Sequence, residues 1–202
     1  MRRTGGRTAR TRDRVLDAVQ ALLADGVPDA VTIDAVAERS GVHRATIYRR
    51  WGSVAMLLVD LLARGVEDDW EPEDTGSLEG DLVALNRELW AALTAEPPLV
   101  LAVVTASLKE PGPATALRRF WADRYDRSCV IVRRAVERGE LSSDVEAHGV
   151  LMAATGPLYH QRVLLGEEPR QADADAFARA AAALARQGNS RTSHETTAAS
   201  SR

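Results

Sequence analysis

The chain has 202 residues, 45% hydrophobic and 27% charged, with one cysteine and a formal net charge of −3. That length carries one large core, or a small domain beside a larger one. A lone cysteine excludes an intrachain disulfide framework and fits a reducing, cytoplasmic compartment, and no run approaches the roughly 20 apolar residues that span a bilayer.

The charge is unevenly placed. Residues 1–52 hold ten Arg against six Asp or Glu, whereas residues 53–202 are acidic by seven charges. Local positive charge suits phosphate binding whatever the global sign, although ordinary solvated surfaces also show such unevenness. Ala, Leu, Arg and Glu dominate, aromatics are scarce and strand-like alternation is absent, so composition predicts an all-α protein.

Residues 1–10 read as a flexible basic arm with Arg2, Arg3, Arg7 and Arg10 around Gly5 and Gly6. No apolar run follows them, which argues against a secretory signal. A first helix over about 11–24 puts Val15, Ala18, Val19, Leu22 and Leu23 on one face, and Asp25, Gly26 and Pro28 end it.

Residues 32–51 carry the densest signal. Thr32 can cap a short helix whose Ile33, Val36 and Ala37 share a face. Gly41 can take the positive φ that closes it, and a second helix then offers Arg44, Thr46, Tyr48, Arg49 and Arg50 while Val42, Ile47 and Trp51 pack inward. A helix-turn-helix of this kind lays its second helix in the DNA major groove. Arg44 could make a bidentate contact with a guanine edge, and Thr46 could meet a thymine methyl or a phosphate. Tyr48, Arg49 and Arg50 suit backbone phosphates, which fix register without reading sequence. The plainer reading, a solvated cationic face with Tyr48 in the core, is outweighed by the cap, the turn and the basic arm ahead of them.

A fourth helix follows Gly52 and Ser53, with Ala55, Leu58, Val59, Leu62 and Val66 as its stripe. The acidic stretch 67–77 reads as a loop. Leu78, Leu82, Leu85, Leu89 and Leu93 mark a further helix, broken at Pro97 and Pro98, and a short apolar helix continues to about Leu108. Glu110, Pro111, Gly112 and Pro113 read as a stop. A long helix then runs to about Arg138 with Leu117, Trp121, Tyr125, Cys129, Val132 and Val136 on one side, closed by Gly139. Helices over about 144–165 and 172–186 complete the set, with Pro157 expected to kink the first. The Ser, Thr and Ala tail 188–202 lacks periodicity and reads as disordered. The total is about nine helices, divided into the arm 1–10, a helix-turn-helix domain 11–53, a helical domain 54–187 and the tail.

At Thr32-Ile33-x-x-Val36-Ala37-x-x-x-Gly41-Val42-x-x-x-Thr46-Ile47-Tyr48-x-x-Trp51-x-Ser53 the chain resembles the tetracycline-repressor (TetR) family of bacterial transcriptional regulators. Arg138-Gly139-Glu140-Leu141 and Gly156-Pro157-Leu158-Tyr159 resemble one C-terminal subtype. The resemblance implies a homodimer whose two recognition helices enter successive major grooves of a palindromic double-stranded DNA operator. It also implies a C-terminal pocket for a small-molecule effector and a four-helix dimer interface. By position it places Thr32, Arg44, Ala45, Thr46, Tyr48 and Arg50 at DNA contacts. One departure stands out: where the family places a phosphate-binding Lys after the Ser of the fourth helix, this chain has Val54.

Ligand pockets are mostly apolar with a few polar groups, which makes Trp90, Phe120, Trp121, Tyr125 and His160 candidates, each with plain core packing as the alternative. Leu158, Tyr159 and Val163 with Phe177, Ala181 and Leu184 are candidates for the dimer face. Nothing in the sequence calls for a cofactor. His148, Tyr159 and His160 lack zinc-ligand spacing, and no nucleophile–base pair or phosphate loop points to an enzyme. The function expected is a ligand-responsive repressor. The alternatives are an activator of the same fold, or a ligand-binding helical module that has lost DNA binding.

Overall fold

The computed structural model describes residues 6–25, 31–64, 70–97, 99–108 and 111–199, which form nine α-helices, one π-helical segment and no strand. In order these are α1 (Gly6–Ala24), α2 (Ile33–Ser40), α3 (Arg44–Trp51), α4 (Val54–Arg64), α5 (Leu78–Thr94), α6 (Leu99–Ser107), α7 (Pro111–Glu137), α8 (Ala147–Tyr159), the π segment (His160–Leu165) and α9 (Gln171–Ala199). Residues 1–5 of the expected arm, the breaker residues 26–29 and Val66 lie outside the described residues.

Two compact units emerge: residues 1–68 with 95–120, and residues 69–94 with 121–202. In the first, α1 packs on α2 and α4, and α6 packs on α4. Val15, Leu16 and Val19 of α1 meet a core shared with Val36, Ile47, Trp51, Leu57 and Leu58, all buried. Each such Leu or Ile contributes about 1.5–3 kcal/mol through burial. The expected boundary at 53/54 is not where this unit ends. Asp60 on α4 accepts two hydrogen bonds from Arg12 Nε (3.1 Å each) and one from Arg12 Nη2 (2.7 Å), and Arg64 pairs with Asp17 at 2.7 Å. These pairs bind α4 to α1.

The helix α1 also begins earlier than expected. Residues 6–10, read as flexible arm, are helical. Ala and Arg are strong helix formers, and Arg50 Nη1 donates to the Thr8 carbonyl at 3.2 Å, holding the first turns.

In the second unit α5, α8 and α9 pack together over Leu78, Leu82, Leu85, Ile131, Val132, Leu151, Ala154, Ala178 and Ala182. Asn86, fully buried on α5, donates to the carbonyls of Ala154 on α8 and Ala174 on α9, both at 2.9 Å. Its own Oδ1 has no partner among the described residues. The Arg138–Leu141 motif now has a physical account. Gly139 turns at φ 77°, Glu140 accepts from the Leu78 N–H at 2.9 Å and so caps α5 from a distance, and Leu141 enters the core. Arg138 (2.8 Å) and Arg186 (2.8 Å) both donate to the same Glu140 carboxylate. Burial pushes that carboxyl up, but the bonds from Arg186, Arg138 and Leu78 outweigh it and hold it below the usual range.

Three helix ends differ from the sequence expectation. Pro111 opens α7 rather than ending the chain's helical run, because Pro is compatible with a first turn whose N–H groups lack partners anyway. Pro157 lies inside α8, and the break falls just beyond it: α-type bonding stops at Tyr159 and a π turn takes over at His160. The helix α9 continues past Gly188 to Ala199, where composition predicted disorder; once a helix is nucleated, each further residue adds a hydrogen bond.

Candidate DNA-binding surface and effector domain

The helix-turn-helix forms as its local chemistry dictates. Thr32 Oγ1 accepts from the Ala35 N–H (3.1 Å), and Gly41 closes α2 at φ 64° with its N–H on the Ala37 carbonyl (2.9 Å). Arg14 of α1 donates to the Ser40 carbonyl, and a Cβ on Gly41 would lie 2.9 Å from Arg14 Nη2. Sequence reasoning missed this use of Arg14, since nothing local to either residue signals it. His43 supplies the α3 cap, its Nδ1 accepting from the Ala45 N–H at 3.3 Å; His lies outside the usual capping set.

The inward set is as expected: Val42, Ile47 and Trp51 are buried. Trp51 Nε1 donates to Asp60 Oδ2 at 2.8 Å, fixing α3 on α4. Burial raises the Asp60 carboxyl, but hydrogen bonds from Arg12 and Trp51 outweigh it and leave the group below its ordinary range.

The outward set is Arg44, Ala45, Tyr48, Arg49 and Arg50, all exposed, with Thr32 exposed at the start of α2 and Thr46 half-buried. Tyr48 is 63% exposed, so it is not a core aromatic. The structure therefore brings all seven candidate residues into one unit, but two of the arginines are engaged. Arg44 pairs with Asp34 of α2 at 3.0 Å, a residue the sequence reading passed over. Arg50 lies over the Trp51 ring at 4.9 Å besides its bond to Thr8. Val54, the first residue of α4, is half-buried and brings no cation there.

In the second unit the effector candidates separate. Trp121 meets Tyr159 edge-on, with centroids 5.5 Å apart at 77°, and the Tyr125 hydroxyl bonds Thr155 Oγ1 at 2.8 Å. Trp90 instead donates to the Pro169 carbonyl at 2.8 Å, and His160 is exposed. Phe120 is half-buried and falls with the first unit.

Part of the dimer-face assignment needs correction. Leu158 is fully buried and Ala181 nearly so, both inside the core of their own unit, and Tyr159 packs on Trp121. Both helices also carry apolar side chains outside the core, Met152 on α8 and Leu184 on α9 among them, so periodicity alone selected inner positions at Leu158 and Ala181. Of the six candidates Leu184 is exposed, at 63%, while Val163 and Phe177 are half-buried. In this unit Met152 (62%), Leu164 (73%) and Leu165 (55%) are further exposed apolar side chains that the sequence reading missed.

Cys129 Sγ lies 4.0 Å from His148 Nε2, but that nitrogen also lies 3.2 Å from Asp126 Oδ1. Burial pushes the thiol up, and Asp126 and Glu146 add to it. The pair is thus set to keep the thiol protonated rather than to activate it. No single helix among the described residues is long and apolar enough to cross a membrane.

Fold and surface together define a helix-turn-helix DNA-binding protein carrying a second, all-helical unit. The model for bacterial regulatory proteins of the tetR family matches residues 15–61, and that for the tetracyclin repressor-like C-terminal domain matches residues 72–181. The chain belongs to the TetR family of transcriptional regulators. It is 32% identical over 165 residues to the HTH-type transcriptional regulator AqdR of Rhodococcus erythropolis, covering 80% of this chain and 79% of that one. It is 33% identical over 155 residues to the DNA-binding transcriptional repressor TetR of Mycobacteroides abscessus, covering 74% and 80%. Among solved structures, the TetR family transcription regulator SCO0332 matches with a TM-score of 0.68 and 31% identity over 83% of this chain and 94% of that one.

Proposed function

We propose that this regulator is a cytoplasmic repressor that binds a palindromic operator as a homodimer and is released by a small-molecule effector. The observation that carries the DNA-binding reading is the exposed cationic face of α3, held by the buried Ile47 and Trp51 and by the Trp51–Asp60 bond. In this assignment Arg44 reads a base edge, steadied by Asp34. Ala45 and Thr46 meet base edges, and Thr32, Tyr48 and Arg49 hold phosphates. Arg50, bonded to Thr8, positions the start of α1 and reaches a phosphate with its remaining donors. The missing cation at Val54 is covered by Arg49 and the Arg10 side of α1.

Dimerisation is assigned to the exposed apolar strip of Met152, Leu164 and Leu184, with Val163 and Phe177 at its edge. The effector acts only to the extent that it binds the non-DNA-binding conformation better. The repressor reading is favoured over an activator because a curated relative covering most of this chain is named a repressor.

The test is a binding titration on a DNA site selected by the protein itself. Arg44→Ala should weaken binding about 10- to 100-fold and relax preference at one base pair per half-site. Unchanged affinity and preference would refute the assignment.

A further inference from the structure

We propose that Arg124, laid on the face of Trp70, forms a binding site for the carboxylate of an organic acid with an apolar body. The proposal rests on reading the second unit as the effector domain and names the chemical class that domain takes.

The guanidinium carbon of Arg124 lies 3.2 Å from the Trp70 ring centroid, and the side chain is only 18% exposed. Its nearest carboxylate oxygen, Glu88 Oε2, is 3.9 Å from Nη2, beyond hydrogen-bond distance. That same oxygen already accepts from the Trp70 indole N–H at 3.1 Å. Among the described residues the guanidinium makes no hydrogen bond, so its planar donors, partly enclosed and otherwise met only by solvent, are free to take an incoming acceptor. Partial burial of a charge without a hydrogen-bond acceptor is unfavourable, and burial does push Arg124 below its ordinary value in spite of Glu88. The ring face below it fixes the plane of the fork, which is the geometry that accepts a carboxylate through two parallel bonds.

A second donor without a partner in the fold stands nearby. The Tyr159 hydroxyl has no hydrogen-bond partner among the described residues, burial raises it well above its usual value, and its charge and that of Arg124 influence each other. Trp121, edge-on to Tyr159, supplies an apolar wall. One cation with Glu88 close behind it suits a monoanion. Desolvating a doubly charged phosphate costs more than desolvating a carboxylate, because that cost rises with the square of the charge, and a single guanidinium offsets only part of it, so the site is assigned to a carboxylate.

The experiment titrates the full-length protein by calorimetry with octanoate, 1-naphthoate, their primary amides and octyl phosphate. The same ligands are run on Arg124→Gln, Arg124→Lys and Trp70→Leu, with circular dichroism as the folding control. At least one acid should bind wild type about tenfold or more tighter than its amide, the worth of one charge-assisted bond. Arg124→Gln should abolish that preference, whereas Arg124→Lys and Trp70→Leu should reduce it. If Arg124→Gln fails to fold, the latter two carry the test. Equal binding of acid and amide, acid preference that survives these substitutions, tighter binding of octyl phosphate, or no binding by either acid would overturn the proposal. Operator affinity measured in parallel separates the two claims: acid binding through Arg124 that leaves DNA affinity unchanged keeps the carboxylate site and removes the effector reading.

Discussion

Asp60 ties α3 to α1 and α4, and its removal has a calculable cost. It accepts from Trp51 Nε1 at 2.8 Å and from Arg12 at 2.7 and 3.1 Å, joining α3, α4 and α1. Asp60→Ala leaves the N–H of the buried Trp51 without this acceptor, a loss of about 1–3 kcal/mol. The Arg12 pair is partly open to water, with side chains 30% and 25% exposed, and screening reduces its share to about 1 kcal/mol. The total is about 2–4 kcal/mol, which for a chain of this length lowers Tm by about 6–12 °C. Asp60→Asn keeps an acceptor for Trp51 and should cost about 1 kcal/mol, the charged part alone.

The pH dependence follows from the same contacts. Asp60 is held below its unfolded value of about 3.9, so between the two values the folded chain binds fewer protons than the unfolded one. Its stabilisation is complete above the unfolded value and is lost as pH falls through the folded one. The Tm gap between wild type and Asp60→Asn should therefore hold from about pH 8 to pH 5 and narrow progressively as pH falls below the unfolded value of about 3.9. Differential scanning calorimetry across that range is the assay. A Tm for Asp60→Ala within about 1 °C of wild type at neutral pH, or a gap that widens in acid, would refute the reasoning.

Other substitutions probe the remaining parts of the account. Gly41→Ala forces a side chain into φ 64° with its Cβ 2.9 Å from Arg14 Nη2, and should cost about 1–2 kcal/mol by chemical denaturation. Glu140→Ala uncaps α5 by removing the acceptor of the buried Leu78 N–H, and should cost about 2 kcal/mol. Because the Glu140 carboxyl is also held below its ordinary range, the penalty should shrink as pH falls below about 4.3. Leu184→Glu should leave the circular dichroism spectrum intact, since the side chain is 63% exposed, yet shift sedimentation from dimer to monomer and weaken operator binding.

The parts legible in the sequence were those fixed by neighbours along the chain. The Thr32 cap, the positive φ at Gly41 and the inward Val42, Ile47 and Trp51 all follow from contacts within one or two turns. The leucine stripe of α5 was legible for the same reason. What periodicity could not supply was the choice between two apolar faces, hence Leu158 and Ala181 in the core where a dimer face was expected, and Met152 and Leu164 exposed instead. Nor could it supply pairings between distant residues. Arg14 on the Ser40 carbonyl, Asp60 under Trp51, Arg44 with Asp34, and Arg124 on Trp70 join side chains that only the fold brings together. Pro111 misled because proline excludes a helix interior yet suits a helix start.

Selection of binding sites from a random DNA library by the purified full-length protein, followed by sequencing, tests the central claim most directly. The expected result is enrichment of one inverted repeat, with half-sites spaced for two α3 helices on successive major grooves, and loss of one specified base pair per half-site when the Arg44→Ala protein is used instead. Recovery of no enriched sequence, or of a site without two-fold symmetry, would contradict it.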